Sequence, residues 1–259
     1  KQLFWYADPY MRAGVSMDQG GAIFDLRPYA AKLKWEVGIG TRHVQDASYP
    51  FLIQEKYRAG YFTHYAGEGT IRSAKLSFDG EEVDLCLCRT KAHFSREGNT
   101  RILTLDPVTI KFADLSVTLQ TKEYFEEGSG AIKIERAILD MSRPGAKVEL
   151  NEYMTACYGT TEYPEDMTGI RLSCVSENGK GDKSIAYEYR CREEFLKDAA
   201  AVSAVIPAIE TKVSMRASGA AEGYIREGYA FSPMFTLGYK KILTDKEMFA
   251  TWLNLEKAD

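Results

Sequence analysis

The sequence predicts a mainly β protein, an antiparallel β-sandwich with one or two short helices, and three observations carry that expectation. Apolar and polar residues alternate in one segment after another. Turn-forming residues separate these segments, and no long helical pattern intervenes between them.

The strand candidates follow in order. They are AKLSF at 74–78, RILTL at 101–105, VTIKF at 108–112, SVTLQT at 116–121, AIKIERAIL at 131–139 and KVELNEY at 147–153. Each has the two-residue period of a half-buried strand. The separators FDGEE, REGN, DP, EEGSG, SRPG and ENGKGDK place Gly, Pro, Asn or Asp where a positive or fixed φ is wanted. Strands of roughly five to nine residues at this spacing point to antiparallel pairing. DLCLC alternates as well, so Cys86 and Cys88 are expected to share one face of a strand as small buried hydrophobes.

Helix is expected in two places. In REEFLKDAAAV, Arg192 to Val202, the spacing of Phe195, Leu196 and Ala199–Ala200 suits a helix, and Glu193 and Glu194 lie in its first turn. TDKEMFATWLNLEK opens with Thr244 and, three residues on, Glu247, the pattern of a capping box.

The chain is read as a single β-rich domain over 1–259, because no repeat, low-complexity tract or linker divides its 259 residues. Hydrophobic residues make up 45% and charged residues 27%, and no run of about 18 apolar residues occurs, so a soluble globular protein is expected. A net charge of -4 with both signs mixed provides no basic footprint, which disfavours nucleic acid and membrane partners. The N-terminal KQLFWYADPY lacks the apolar core and cleavage site of a signal peptide, and the expectation is cytoplasmic. Five cysteines with no CxxC and no paired histidines leave no zinc pattern. GxSxG, P-loop, GxGxxG and HExxH motifs are all missing, so acyl transfer, NTP hydrolysis, dinucleotide binding and zincin chemistry are disfavoured, and neither cofactor nor metal is expected.

Near the N-terminus, AGVSMDQGGAIFDLRPYAAKLKWEV reads strand, Gly-Gly, strand. This stretch is similar to the opening hairpin of the galactose mutarotase-like family. A Gly pair is also the ordinary chemistry of a hairpin turn. The resemblance implies a β-supersandwich, a fold shared by sugar epimerases, several polysaccharide lyases and accessory domains of glycoside-processing enzymes. The chain departs from the epimerase pattern in one respect: the histidine-containing strand followed by a late, glycine-flanked glutamate is not found.

Proton transfer on a sugar needs an acid and a base with pKa values near the working pH, and histidine with glutamate meets that need. His43 lies in GTRHVQD beside Arg42 and before Asp46; His64 lies in GYFTHYAGEG beside Tyr65 and before Glu68; His93 lies in RTKAHF. His43 and His64 are the acid/base candidates, with Glu152 or Glu162 as the carboxylate, although a lone histidine is also an ordinary hydrogen-bonded structural residue. NEYMTACYGTTEYPEDM, Asn151 to Met167, gathers Glu152, Tyr153, Tyr158, Glu162 and Tyr163 around a Gly-Thr-Thr turn. Tyrosine rings stack on a pyranose and carboxylates accept from its hydroxyls. The other reading of this segment is an acidic surface loop. Arg226, in GYIREGY, can clamp a uronate carboxylate or form a surface ion pair.

The candidate catalytic set is therefore His43, His64, Glu152 and Glu162, with Arg42, Tyr65, Tyr153, Tyr158, Tyr163 and Arg226 toward a small-molecule or oligosaccharide ligand. Two function classes follow. One is a sugar epimerase, mutarotase or lyase. The other is a non-catalytic β-sandwich that binds glycans or serves as a structural module of a homo-oligomer.

Overall fold

Burial with a period of two sets the architecture. The computed structural model describes residues 2–28, 52–53, 70–157, 169–188, 190–228 and 234–258. The early strands are β1 (Leu3–Ala7), β2 (Met11–Ser16), β3 (Ala22–Pro28), β4 (Ile71–Phe78), β5 (Glu81–Asp84), β6 (Ala92–Glu97), β7 (Thr100–Leu105) and β8 (Val108–Lys111). Next come β9 (Ser116–Glu126), β10 (Ala131–Met141), β11 (Val148–Cys157), β12 (Arg171–Val175) and β13 (Lys183–Ala186). The last are β14 (Glu193–Leu196), β15 (Ala201–Ile206), β16 (Thr211–Ala217), β17 (Glu222–Glu227), β18 (Met234–Leu243) and β19 (Met248–Lys257).

These strands form two sheets. The first has nine strands in the order β1-β2-β3-β4-β11-β18-β17-β14, with β5 beside β4; the second has ten in the order β13-β12-β15-β16-β19-β10-β9-β7-β6, with β8 beside β9. All pairings between the named strands are antiparallel. Alternation decides which side chains go inward. β9 buries Val117, Leu119, Thr121, Glu123 and Phe125, and β11 buries Val148, Leu150, Glu152, Met154 and Ala156. The inward residues of both sheets merge into one hydrophobic cluster. All six strands predicted between 74 and 153 are present.

Both predicted helices are strands instead. β14 and β15 occupy the first segment, broken by a turn in which Asp198 takes φ 53, and Val202, Ala204 and Ile206 bury every second residue. The second segment is β19, whose Phe249, Thr251, Leu253 and Leu255 face inward while the strand pairs with β10 and β16. Half of the expected capping box does form: Thr244 N–H donates to Glu247 Oε2 at 2.7 Å. It closes the turn between β18 and β19, so the local chemistry was real and the tertiary pairing overrode the helix. DLCLC is likewise not a strand. Leu85–Leu87 form one 3-10 turn capped by the Asp84 carboxylate on Cys86 N–H, leaving Cys86 and Cys88 half-buried. Burial pushes both thiols up, Cys86 to about 12, so neither is a reactive thiolate near neutral pH.

The register also fixes where the sheet opens into its connections. Thr155 pairs with Ile71, Cys157 with Met234 and Glu227 with Phe235. Ile23 pairs with Arg72, so Pro28 lies in the same direction. The strand ends that border 29–51, 54–69, 158–168 and 229–233 therefore lie at one end of the first sheet.

Candidate functional site

The outer face of the first sheet carries the side chains of opposite parity to the core. Across β11, β18, β17 and β14 the register lines up Tyr153, Gly238, Tyr224 and Phe195. Gly238 is what lets this row pack. A Cβ there would come within 2.4 Å of the Tyr224 ring, so the ring lies directly on the strand. Phe195 follows with its centroid 5.7 Å from that of Tyr224, and Lys240 Nζ stands 5.4 Å from the Phe195 centroid.

Each tyrosine hydroxyl has a fixed acceptor. Tyr153 Oη donates to Asp84 Oδ2 at 2.9 Å, and Tyr224 Oη donates to Asn151 Oδ1 at 2.9 Å. Burial raises both phenols, with the Asp84 charge adding to the effect at Tyr153, and Tyr224 is pushed up to about 12. The two phenols are donors rather than phenolate bases at neutral pH. Thr155 and Thr236 pair hydroxyl to hydroxyl at 3.0 Å one step nearer the connecting end.

A second group lies on the same face at β1 to β3. Arg12 donates Nε and Nη2 to the two oxygens of buried Asp25 at 3.1 and 3.0 Å, and Arg27 Nε reaches both at 3.3 Å. The Arg12 guanidinium stands 4.9 Å from the ring of Trp5, which is 40% exposed and packs edge-on against Phe24. A groove of about 240 Å³ lies against Trp5, Tyr6, Ala7 and Arg12. Aromatic surface beside charged and amide groups can hold a ligand that has both apolar faces and hydroxyls.

Of the residues singled out from sequence, Tyr153 and Arg226 share this face. Arg226 Nε donates to Glu193 Oε1 at 2.9 Å, and both side chains are solvent-accessible, so Arg226 forms a surface ion pair. Its neighbour Glu227 points the other way. It is fully buried and accepts from Arg192 Nε at 2.8 Å; burial pushes its carboxyl up, but Arg192 and two backbone N–H donors outweigh this and hold it below the usual range. Glu152 also faces inward, 1% exposed, with Arg136 Nε 2.6 Å from its Oε2. The geometry assigns it an internal ion pair in place of the acid/base role expected for it, because one strand position separates it from the open face. His93 sits exposed on β6 with Nε2 3.1 Å from Asp106 Oδ1. Arg42, His43, His64, Tyr65, Tyr158, Glu162 and Tyr163 lie outside the described residues. Among the described residues no cluster of three or more His, Cys, Asp or Glu is arranged to hold a metal, and no helix is long and apolar enough to cross a membrane.

Asp84 and Asn151 are site residues with no role in the sequence reading, and Tyr224 enters it only as a neighbour of Arg226 in GYIREGY. Tyr224 and Asn151 were legible in principle, because they have the parity of Tyr153 on strands whose neighbours are inward-facing. Asp84 was hidden in DLCLC, read as a strand.

Two large antiparallel sheets that share one hydrophobic interior make this a β-sandwich. The chain has the galactose mutarotase-like fold. A protein of Synechocystis sp. PCC 6803 superposes with a TM-score of 0.63 at 9% identity, over 99% of this chain and 96% of that one. A galactose mutarotase related enzyme from Lactobacillus acidophilus does so at 0.62 and 7% identity, over 100% and 99%. A galactose mutarotase-like protein from Lactobacillus casei ATCC 334 gives 0.57 and 8%, over 98% and 100%. No protein-family model matches the sequence, and no curated protein does. The likeness is one of fold.

Proposed function

We propose that this protein acts on a carbohydrate by mutarotase-like acid/base chemistry at the outer face of the first sheet. The observation that carries the reading is the row of Tyr153, Tyr224 and Phe195 with hydroxyls fixed by Asp84 and Asn151. Phe195, 38% exposed, offers the stacking surface of this row, and the buried Tyr153 and Tyr224 with their fixed hydroxyls form the floor behind it; a pyranose presents apolar faces and hydroxyls in return. The neighbours described as galactose mutarotase-like add support from the fold.

Anomer exchange needs one group to take the proton from the anomeric hydroxyl and another to supply one to the ring oxygen. His43, His64 and Glu162 fill those roles in this reading. They belong to segments whose bordering strand ends, Pro28, Ile71 and Cys157, lie at the same end of the sheet as the Thr155–Thr236 pair. Epimerisation and lyase chemistry draw on the same pair of groups.

The test is the rate of anomer interconversion, followed by polarimetry or proton NMR on a panel of free aldoses, uronic acids and short oligosaccharides. At least one sugar is expected to equilibrate faster with the protein. His43→Ala and His64→Ala should each lower that acceleration by about 10²–10⁴-fold, the usual weight of a positioned proton-transfer group, at an unchanged melting temperature. Saturable sugar binding with no acceleration of any reaction would replace the enzyme by a glycan-binding module, and no binding at all would end the carbohydrate reading.

A further inference from the structure

Four ionisable side chains meet between the sheets, at core positions of otherwise apolar strands. Arg72 on β4 and Glu152 on β11 come from the first sheet; Glu123 on β9 and Arg136 on β10 come from the second. None is more than 1% exposed. Arg136 crosses to the first sheet, donating Nε to Glu152 Oε2 at 2.6 Å, and gives Nη1 to Thr121 Oγ1 at 2.9 Å. Arg72 crosses the other way, donating Nη2 to Thr251 Oγ1 at 3.0 Å and Nη1 to the Ile132 carbonyl at 3.5 Å. Its Nε stands 3.8 Å from Glu152 Oε1. Each sheet thus lends a guanidinium to the other, and the group is a polar clamp across the hydrophobic interior.

Glu123 is the odd member. Among the described residues neither of its oxygens has a hydrogen-bond partner, and Arg72 Nε and Glu152 Oε1 are unsatisfied beside it. The charged groups that face it are Arg136 from β10, Arg72 from β4 and Glu152 from β11. The β2–β3 turn and β7 add none: Gly21 lies close enough that a methyl there would come 3.1 Å from Glu123 Oε1, and the Leu105 side chain packs against the same glycine. A carboxylate enclosed without donors is strongly disfavoured, whereas a neutral carboxyl is tolerated.

We propose that Glu123 is a proton-operated member of the clamp between the two sheets. While Glu123 holds its proton, both arginines serve Glu152 and the two threonines. When the proton leaves to solvent, the new carboxylate competes with Glu152 for the same guanidinium groups and the tie between the sheets loosens. Glu152 and Tyr153 are consecutive on β11, so the clamp and the outer-face row share a backbone.

Burial raises the Glu123 carboxyl to about 8; the two arginines pull it down, and Glu152 pushes it up. The folded value lies above the unfolded one, so the stabilisation is complete below the ordinary carboxylate range and is lost as pH rises toward about 8. The experiment is a carbon-13 NMR titration of the Glu123 carboxyl in the native full chain, with urea unfolding of the wild type and Glu123→Gln run in parallel. The carboxyl is expected to titrate with a midpoint above about pH 6. The wild-type folding constant should fall relative to that of the variant by up to about tenfold per pH unit across pH 5 to 8, the slope of one proton. A midpoint below about pH 6, or parallel wild-type and variant profiles, overturns the proposal. If Glu123→Gln does not fold, the titration of the native chain decides alone.

Discussion

Arg136→Met is expected to lower the free energy of unfolding by about 3–5 kcal/mol, the range for removing one partner of a buried ion pair. The loss is large because the guanidinium serves two buried acceptors at once, Glu152 Oε2 at 2.6 Å and Thr121 Oγ1 at 2.9 Å. Methionine fills the space but leaves the Glu152 charge with Arg72 alone, whose nearest approach is 3.8 Å. Burial already lowers the Arg72 guanidinium to about 10, so its own charge is held under strain of desolvation. Urea unfolding followed by circular dichroism reads the effect as a shift in midpoint at constant slope. Adding Glu152→Met to Arg136→Met should restore much of the loss, because Arg72 and Glu123 then remain as an opposite pair and Glu123 has reason to ionise. Strict additivity of the two substitutions would mean that the four side chains do not act as one group.

The same cluster explains what could be read from the sequence and what could not. In SVTLQTKEYFE the inward parity runs Val117, Leu119, Thr121, Glu123, Phe125, so a charge at a core position was already written into the alternation. KVELNEYM placed Glu152 on the side of Leu150 and Met154 in the same way, but its nearness to tyrosines and acids in the chain suggested an open site. Parity was the stronger signal, since one residue along a strand is the difference between the interior and solvent. The two misread helices have the same lesson from the other side. FATWLNL fits a helical stripe better than alternation, because Ala250 and Trp252 are apolar on the outward parity and Thr251 is polar on the inward one, and the flanking strands β10 and β16 override it. The outer-face row was legible only in part, because Tyr153, Tyr224 and Phe195 lie up to 71 positions apart in the sequence before the register brings them together. The acid/base residues proposed in 29–69 and 158–168 rest on residue type and on the strand ends that border them.

Gly20→Ala should be about as damaging as loss of the arginine, at about 2–5 kcal/mol, from two separate causes. Gly20 ends the single 3-10 turn Met17–Gln19 with φ 63 and ψ 27, a left-handed conformation that costs a residue with a side chain about 1–2 kcal/mol. The second cause is contact. A Cβ at this position would stand 2.1 Å from the carbonyl oxygen of Leu85 and 3.1 Å from that of Cys88. Both are backbone atoms, so no rotamer relieves the clash. The Leu85 carbonyl is also committed, as it accepts Cys88 N–H at 2.9 Å, and Thr90 N–H returns to Met17 O at 3.0 Å. Displacing the Leu85–Leu87 turn would therefore disturb the junction between β5, whose Asp84 anchors Tyr153, and the N-terminal hairpin. Gly145→Ala is the control: φ there is 74, but nothing lies within 4 Å of the added carbon, so it should cost only the left-handed penalty. Thermal or urea unfolding of the two variants side by side separates the causes. If Gly20→Ala costs no more than Gly145→Ala, the close approach of the two turns contributes nothing to stability, and the glycine at 20 is required for its φ alone.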